Sequence, residues 1–235
     1  MDCNFIVGYY DSFIEATRIN ILMEHCSHGD LCSYIKKQHS KPFVENFIWK
    51  VFIHVCLGVH QMHSRNIIHR DLKSLNVFLT KDNSAKIGDL GAARTLDAEG
   101  KIMEEFPREQ AEKVGTPFYL APELWRDEPC TKKSDVWALG VILYEMVCMK
   151  FPFEAPDLEK LEQKVRAEKF SPLPLTVNKL FGQIIAKCLS KKPENRPNVE
   201  DIILSAEFQQ KCTQHRITLP LELNKAKQMQ KKKSS

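Results

Sequence analysis

His69-Arg70-Asp71-Leu72-Lys73-Ser74-Leu75-Asn76 precedes, along the same stretch of chain, Asp89-Leu90-Gly91. Between them run Val77-Phe78-Leu79-Thr80, then Lys81-Asp82-Asn83-Ser84, then Ala85-Lys86-Ile87-Gly88. Two short apolar runs around a polar turn predict strand, tight turn, strand. Such a hairpin brings Asp71, Lys73 and Asn76 at one end close to Asp89 at the other. The residue types suit phosphoryl transfer. A carboxylate at Asp71 can orient a hydroxyl and accept its proton. Asn76 and Asp89 are hard oxygen ligands, suited to Mg²⁺ bridging phosphates. Lys73 can neutralise charge on the transferred group, so positioning and charge stabilisation carry most of the catalysis.

Three further segments follow in order: Gly115-Thr116-Pro117-Phe118-Tyr119-Leu120-Ala121-Pro122-Glu123, Ser134-Asp135-Val136-Trp137-Ala138-Leu139-Gly140 and Asn195-Arg196-Pro197. With His-Arg-Asp-Leu-Lys-x-x-Asn and Asp-Leu-Gly they resemble the ordered signature set of the eukaryotic protein kinases. An ordered set is far more specific than any single triplet. The resemblance implies an α+β, protein-kinase-like fold, mainly the α-helical lower lobe with a remnant of the β upper lobe. Residues 1–26 are then the upper-lobe remnant, two strands and a hinge. Residues 27–210 are the helical lower lobe with the catalytic, magnesium and activation loops, and 211–235 a basic tail that reads as disordered.

The same resemblance assigns roles. It implies ATP and Mg²⁺ as cofactors, with Asp71, Lys73 and Asn76 catalytic and the metal held by Asn76 and Asp89. Met23 falls at the gatekeeper position, Glu24 and Cys26 in the hinge that pairs with adenine, and Phe78 at the floor of the adenine pocket. Thr116 lies in the substrate-docking segment. His69 packs structurally, Arg70 faces the activation loop, Asp135 accepts hydrogen bonds from the catalytic-loop backbone, and Glu123 pairs with Arg196. Lys73 together with Gly115-Thr116 is the serine/threonine pattern. The wording Phe78-Leu79-Thr80-Lys81-Asp82 and Phe151-Pro152-Phe153-Glu154-Ala155 is similar to the NIMA-related kinases, a group that tolerates leucine at position 90. That likeness, from residue 4 to the vicinity of residue 210, implies transfer of the ATP γ-phosphate to Ser/Thr of protein substrates. It also implies cytoskeletal or centrosomal partners and a cytoplasmic location at the cytoskeleton, centrosome or flagellum.

Length and composition agree with this. With 235 residues and 43% hydrophobic content the chain can bury a sizeable core. Its 8 cysteines form no Cys-x-x-Cys and no zinc-site spacing, so reduced, buried thiols are expected. No apolar run is long enough to cross a bilayer and no signal peptide precedes Asp2, so no membrane association is expected. The net charge of +4 is concentrated at the end, where Lys225, Lys227, Lys231, Lys232 and Lys233 occur without an acid. Such a run is either a solvated end or a contact for an acidic surface. Nucleic acid is not the expected partner.

Residues 4–14 and 19–26 predict two strands around Glu15-Ala16-Thr17-Arg18, exposing Phe5, Ile6, Val7, Phe13, Ile21 and Leu22. Gly29-Asp30-Leu31 opens a helix through Lys37. Residues 43–62 carry Val44, Ile48, Val51, Phe52, Val55, Val59 and Met62 on one helical stripe, with Trp49 and His54 off it. Further helices are expected over 134–149, 157–169, 177–190 and 198–208, with Pro193 and Pro197 as breakers and Asn198 as a cap. The activation loop, 92–114, has no Ser, Thr or Tyr between Thr95 and Thr116. Glu112 either stands in for a phosphate by pairing with Arg70 or is simply solvated.

One departure stands out: the chain holds no Gly-x-Gly-x-x-Gly, and no Val-Ala-x-Lys precedes His69. Relative to the motif order, roughly sixty residues of upper lobe are missing, with the phosphate-covering loop and the ATP-orienting lysine. Weak ATP binding and an exposed apolar sheet are the expected consequences. A truncated kinase, a short pseudokinase acting as a scaffold, and a partner that covers the incomplete lobe all fit this pattern. Retention of Asp71, Lys73, Asn76 and Asp89 together favours catalysis.

Overall fold

The computed structural model of the chain describes residues 4–39, 41–103, 116–167, 169–220 and 223. The order is β1 (Tyr9–Glu15), β2 (Arg18–Met23), β3 (Gly29–Asp30), α1 (Leu31–Lys37), α2 (Glu45–His63), β4 (Ile67–Ile68), β5 (Val77–Leu79), β6 (Ala85–Ile87) and β7 (Arg94–Thr95). Then come α3 (Pro122–Trp125), α4 (Lys132–Cys148), α5 (Leu158–Ala167), α6 (Lys179–Cys188), α7 (Val199–Leu204) and α8 (Ala206–Gln214). Among the described residues three small antiparallel sheets result: β1-β2, β3-β5-β6 and β4-β7.

The helical body is organised around α2 and α4. Thr131 starts α4 with a capping box: its hydroxyl accepts from Lys133 N at 3.2 Å, while Ser134 Oγ accepts from Thr131 N at 3.1 Å. The helix ends at Met149, which takes up the left-handed conformation (φ 57°). Almost every residue of α4 is buried, as its lack of a polar face requires. The stripe reading of α2 identified one buried face; from Val51 to His60 every face is covered, whereas Val44, expected on the stripe, caps the helix and is 73% exposed. Trp49 and His54 are buried beside the stripe, because α4, α7 and α8 cover one side of α2 and β6 another. Gly58 makes the β6 side possible: a Cβ there would lie 2.8 Å from the Phe5 carbonyl oxygen and from Ile87 Cδ1.

Two expectations are corrected. The first expected strand divides in two. Residues from Tyr9 pair with β2, but Phe5–Val7 turn the other way and run parallel to β6 through an Ile6–Ile87 bridge. Val7 N donates to Ile87 O at 2.8 Å, and Ile87 N donates to Phe5 O at 2.9 Å. Phe5, Ile6 and Val7 are therefore half-buried, while Phe13, Ile21 and Leu22 stand exposed as expected. The helix expected over 198–208 is two helices, because Ser205 is extended (ψ 143°) and its hydroxyl caps the second by accepting from Phe208 N at 3.4 Å. The second helix, α8, continues past position 210.

All seven described cysteines are free thiols. Cys56, Cys188 and Cys212 are buried, and Cys26, Cys32, Cys130 and Cys148 are only partly so. Burial pushes Cys188 up to about 12 and Cys212 to about 11, and it pushes Cys56 well above the ordinary thiol range.

The expected Glu123–Arg196 pair is present and bidentate, with both N–O distances 2.7 Å and side chains 3% and 0% exposed. Arg196 also donates Nε to Ser190 O (2.8 Å), Nη1 to Lys133 O (2.9 Å) and Nη2 to Lys191 O (3.3 Å), and it lies over the Trp137 ring. All its N–H donors are thus spent. This pair ties the end of the docking segment to the loop before α7. Arg196→Met strands Glu123 without its cation and should cost about 3–5 kcal/mol in a denaturant titration. Lys50→Met, which breaks an exposed pair with Asp82, should cost under about 1 kcal/mol.

Burial, with Lys50 nearby, lowers His54 to about 4. Its Nδ1 accepts the Ala85 N–H at 2.9 Å, a bond that protonation at that atom would break. The unfolded chain binds this proton at higher pH than the folded one. Stability from His54 is therefore complete above about 6.5 and declines as pH falls towards about 4, by roughly 3 kcal/mol in all. His54→Gln, which keeps an acceptor, should flatten that slope when unfolding midpoints are measured across the same range.

Candidate active site

The loop from β4 to β5 is fixed from below by one buried carboxylate. Asp135, in the first turn of α4, accepts His69 N at 2.9 Å, Arg70 N at 3.1 Å and His63 Nε2 at 2.9 Å. Burial alone would raise its pKa, but the His63 and His69 bonds outweigh burial and hold the group below the usual carboxylate range. Arg70 is held at φ 70°, a left-handed conformation that costs a non-glycine residue about 1–3 kcal/mol. The bonds to Asp135 offset that strain. His63, the last residue of α2, is part of this support.

Above that anchor the catalytic-loop side chains converge. Lys73 Nζ lies 2.6 Å from Asp71 Oδ2. Asn76 donates Nδ2 to the Asp71 carbonyl at 2.8 Å and to Asp71 Oδ2 at 3.2 Å. The Asp71 N–H donates to His69 Nδ1 at 3.3 Å, which leaves His69 Nε2 to donate to the Gly88 carbonyl at 3.2 Å. Gly88 N donates to Asn76 O at 2.9 Å. Gly88, the residue before Asp89, is thereby gripped from both sides by the catalytic loop.

Asp89 is exposed and left-handed (φ 55°), with its carboxylate turned to the Gly91 N–H at 3.4 Å. Among the described residues no basic side chain pairs with it. Asn76 spends its amide N–H groups on Asp71, which leaves the amide oxygen as its free end. A carboxylate and an amide oxygen are hard donors and fit Mg²⁺ completed by phosphate oxygens and water. No described cluster of three or more His, Cys, Asp or Glu could hold an ion by protein ligands alone, so these two would need such completion.

At the other end, Phe78 on β5 lies against Gly88: a Cβ there would sit 2.7 Å from the Phe78 ring. Met23 closes β2 and is 54% exposed, because both faces of the β1-β2 hairpin stand open. Glu24 and Cys26 follow it, and Glu24 N donates to Gly8 O at 2.8 Å. Thr116 lines a small cleft together with Arg70, Asp71 and Tyr119. Glu112 lies outside the described residues, so its expected contact with Arg70 does too.

Sequence reading passed over two clusters. Ser74 Oγ lies 2.9 Å from Tyr119 Oη and donates to Glu145 Oε1 at 3.1 Å, and Tyr119 Oη donates to Glu145 Oε2 at 2.5 Å. Burial raises the Glu145 carboxyl despite these donors. Catalytic loop, docking segment and α4 thus meet at one buried point. Lys86 and Glu24 form the second cluster, with Nζ 2.8 Å from each carboxylate oxygen. The available signal was a lysine inside an otherwise apolar strand.

The protein kinase domain family matches residues 1–208. The chain is similar to serine/threonine-protein kinase Nek3 of Mus musculus, 38% identical over 198 residues, covering 84% of this chain and 37% of that protein. It is similar to Nek4 of Mus musculus, 37% identical over 207 residues, covering 88% of this chain and 25% of that protein. It also resembles putative serine/threonine-protein kinase A of Trypanosoma brucei brucei, 37% identical over 208 residues, covering 86% of this chain and 47% of that protein. The chain spans less than half the length of each of these relatives. On the family match over residues 1–208 and these serine/threonine-protein kinase relatives, the chain belongs to the protein kinase family.

Proposed function

We propose that the protein is a NIMA-related serine/threonine kinase that transfers the γ-phosphate of ATP to Ser or Thr of protein substrates. One observation carries this reading: Asp71 Oδ2 is shared by Lys73 Nζ at 2.6 Å and Asn76 Nδ2 at 3.2 Å, in a loop bonded to the residue before Asp89. In this reading Asp71 orients the acceptor hydroxyl and takes its proton, and Lys73 offsets charge on the group in transfer. Asn76 and Asp89 would hold Mg²⁺, whose contribution when bound is to neutralise phosphate charge. Thr116 docks the acceptor beside Asp71. Met23, Glu24, Cys26 and Phe78 border the adenine end, with hinge backbone as the pairing group. His69, Arg70, Asp135, Glu123 and Arg196 support the loop.

Partners and place follow from the same reading. The substrates are proteins, and the resemblance points to cytoskeletal or centrosomal ones in the cytoplasm or flagellum. No described helix is long and apolar enough to cross a membrane. Phe13, Ile14, Ile19 and Ile21 stand exposed on the β1-β2 hairpin, which supports a polypeptide cover over that sheet.

The test is transfer of label from γ-labelled Mg·ATP to a generic serine- and threonine-rich protein. Label should appear on Ser and Thr and fall about 10²-fold or more in Asp71→Asn. Asp89→Asn should lose activity and shift its dependence on Mg²⁺ concentration. Folded protein that transfers nothing, or transfer indifferent to both substitutions, would overturn the assignment.

A further inference from the structure

We infer that Lys86 and Glu24 are positioning residues: their ion pair sets the hinge relative to the metal-bearing end of β6 and thereby sets nucleotide affinity. The inference rests on the kinase reading and deepens it.

Lys86 sits in the middle of β6, opposite Phe78 in the ladder, and the strand leads through Gly88 directly into Asp89. Glu24 is the first residue after β2, where the hinge begins. The two are 15% and 25% exposed, and Nζ lies 2.8 Å from both carboxylate oxygens. Glu24 Oε2 also accepts the Gly8 N–H at 3.1 Å, while the Glu24 backbone N–H bonds the Gly8 carbonyl. Gly8 directly follows the segment stitched to Ile87. Glu24 therefore closes a corner where three chain segments meet: residues 5–8, the start of the hinge and β6.

Among the described residues no other ion pair joins residues 4–26 to the rest of the molecule. Among the described residues no other side-chain hydrogen bond crosses there either, so the corner depends on backbone bonds at Phe5, Val7 and Ile87, on the Phe5 ring against His54 and on this pair. The hinge thiol Cys26 feels both charges: burial and Glu24 push it up, against Lys86. Hydrogen bonding to Lys86 and Gly8 also lowers the Glu24 carboxyl, although burial acts the other way. The carboxylate is thus engaged by protein, and what the hinge can offer a purine is its backbone. A nucleotide spanning hinge and Asp89 needs those two points at a fixed separation, and misplacement of such groups is costly.

The experiment measures Mg·ADP affinity by calorimetry, KM for ATP, KM for the acceptor protein, kcat and melting temperature in one set of proteins. Lys86→Met should weaken Mg·ADP about tenfold, equivalent to roughly 1.4 kcal/mol, and raise KM for ATP by the same factor. The acceptor KM and kcat should stay within about twofold, since neither Asp71 nor Thr116 depends on the pair. Lys86→Arg should restore affinity, and adding Glu24→Gln to Lys86→Met should cost little more, as expected of one shared interaction. If Lys86→Met does not fold, Lys86→Gln, which removes the charge but keeps a polar side chain of similar length, gives the same readout. Native affinity in a folded Lys86→Met overturns the inference alone. So does parallel loss in both KM values and in melting temperature, which marks a merely structural role. Wild-type protein that binds no Mg·ADP overturns the kinase reading and this inference with it.

Discussion

A single buried carboxylate does most to hold the active-site loop in shape. Asp135 faces three N–H donors from two segments, His63 at the end of α2 and the backbone of His69 and Arg70. Without a fixed acceptor beneath it, the loop would have no reason to keep Arg70 left-handed. With it, the next residues are aimed upward in one rigid turn, and Asp71, Lys73 and Asn76 share a carboxylate oxygen. Asp135 itself stays in place because α4 is buried along nearly its whole length. The core therefore acts on the chemistry through a chain of contacts: packed helix, buried anion, strained loop, converged polar groups.

The segment that carries Asp89 is held by the same loop rather than by its own strand alone. His69 and Asn76 bond the two sides of Gly88, and the absence of a Cβ at Gly88 lets the Phe78 ring close on the backbone. The Phe78 ring and the segment that carries Asp89 are thus in contact. The hinge is a looser partner, joined to β6 by backbone bonds at residues 5–7 and by the Lys86–Glu24 pair.

What the sequence disclosed and what it hid differ by range. The catalytic loop and the β5-β6 hairpin were legible because they are contiguous, whereas Asp135 under the loop and the Glu123–Arg196 pair were legible only as what the family resemblance implies. The departure of residues 5–8 from β1 was not, since an apolar run looks the same whether it pairs with its neighbour or with a distant strand. All-round burial of α2 was hidden for a related reason: periodicity reports the most apolar face and is silent on what covers the others. Polar contacts between distant segments, Ser74 with Glu145 and Glu24 with Lys86, left only a faint trace, a charge or hydroxyl placed where packing alone would not want it. The break at Ser205 was signalled by a serine suited to capping, but helix formers on both sides masked it.

Cys56, Cys188 and Cys212 lie within the helical core, on α2, at the end of α6 and on α8. Only the thiolate attacks an electrophile, and burial keeps all three sulfurs protonated at neutral pH. They cannot react where they stand; the helices must first part. Their alkylation rate is accordingly an internal clock for the breathing of the lower body, running on opening events and blind to anything that happens at the cleft.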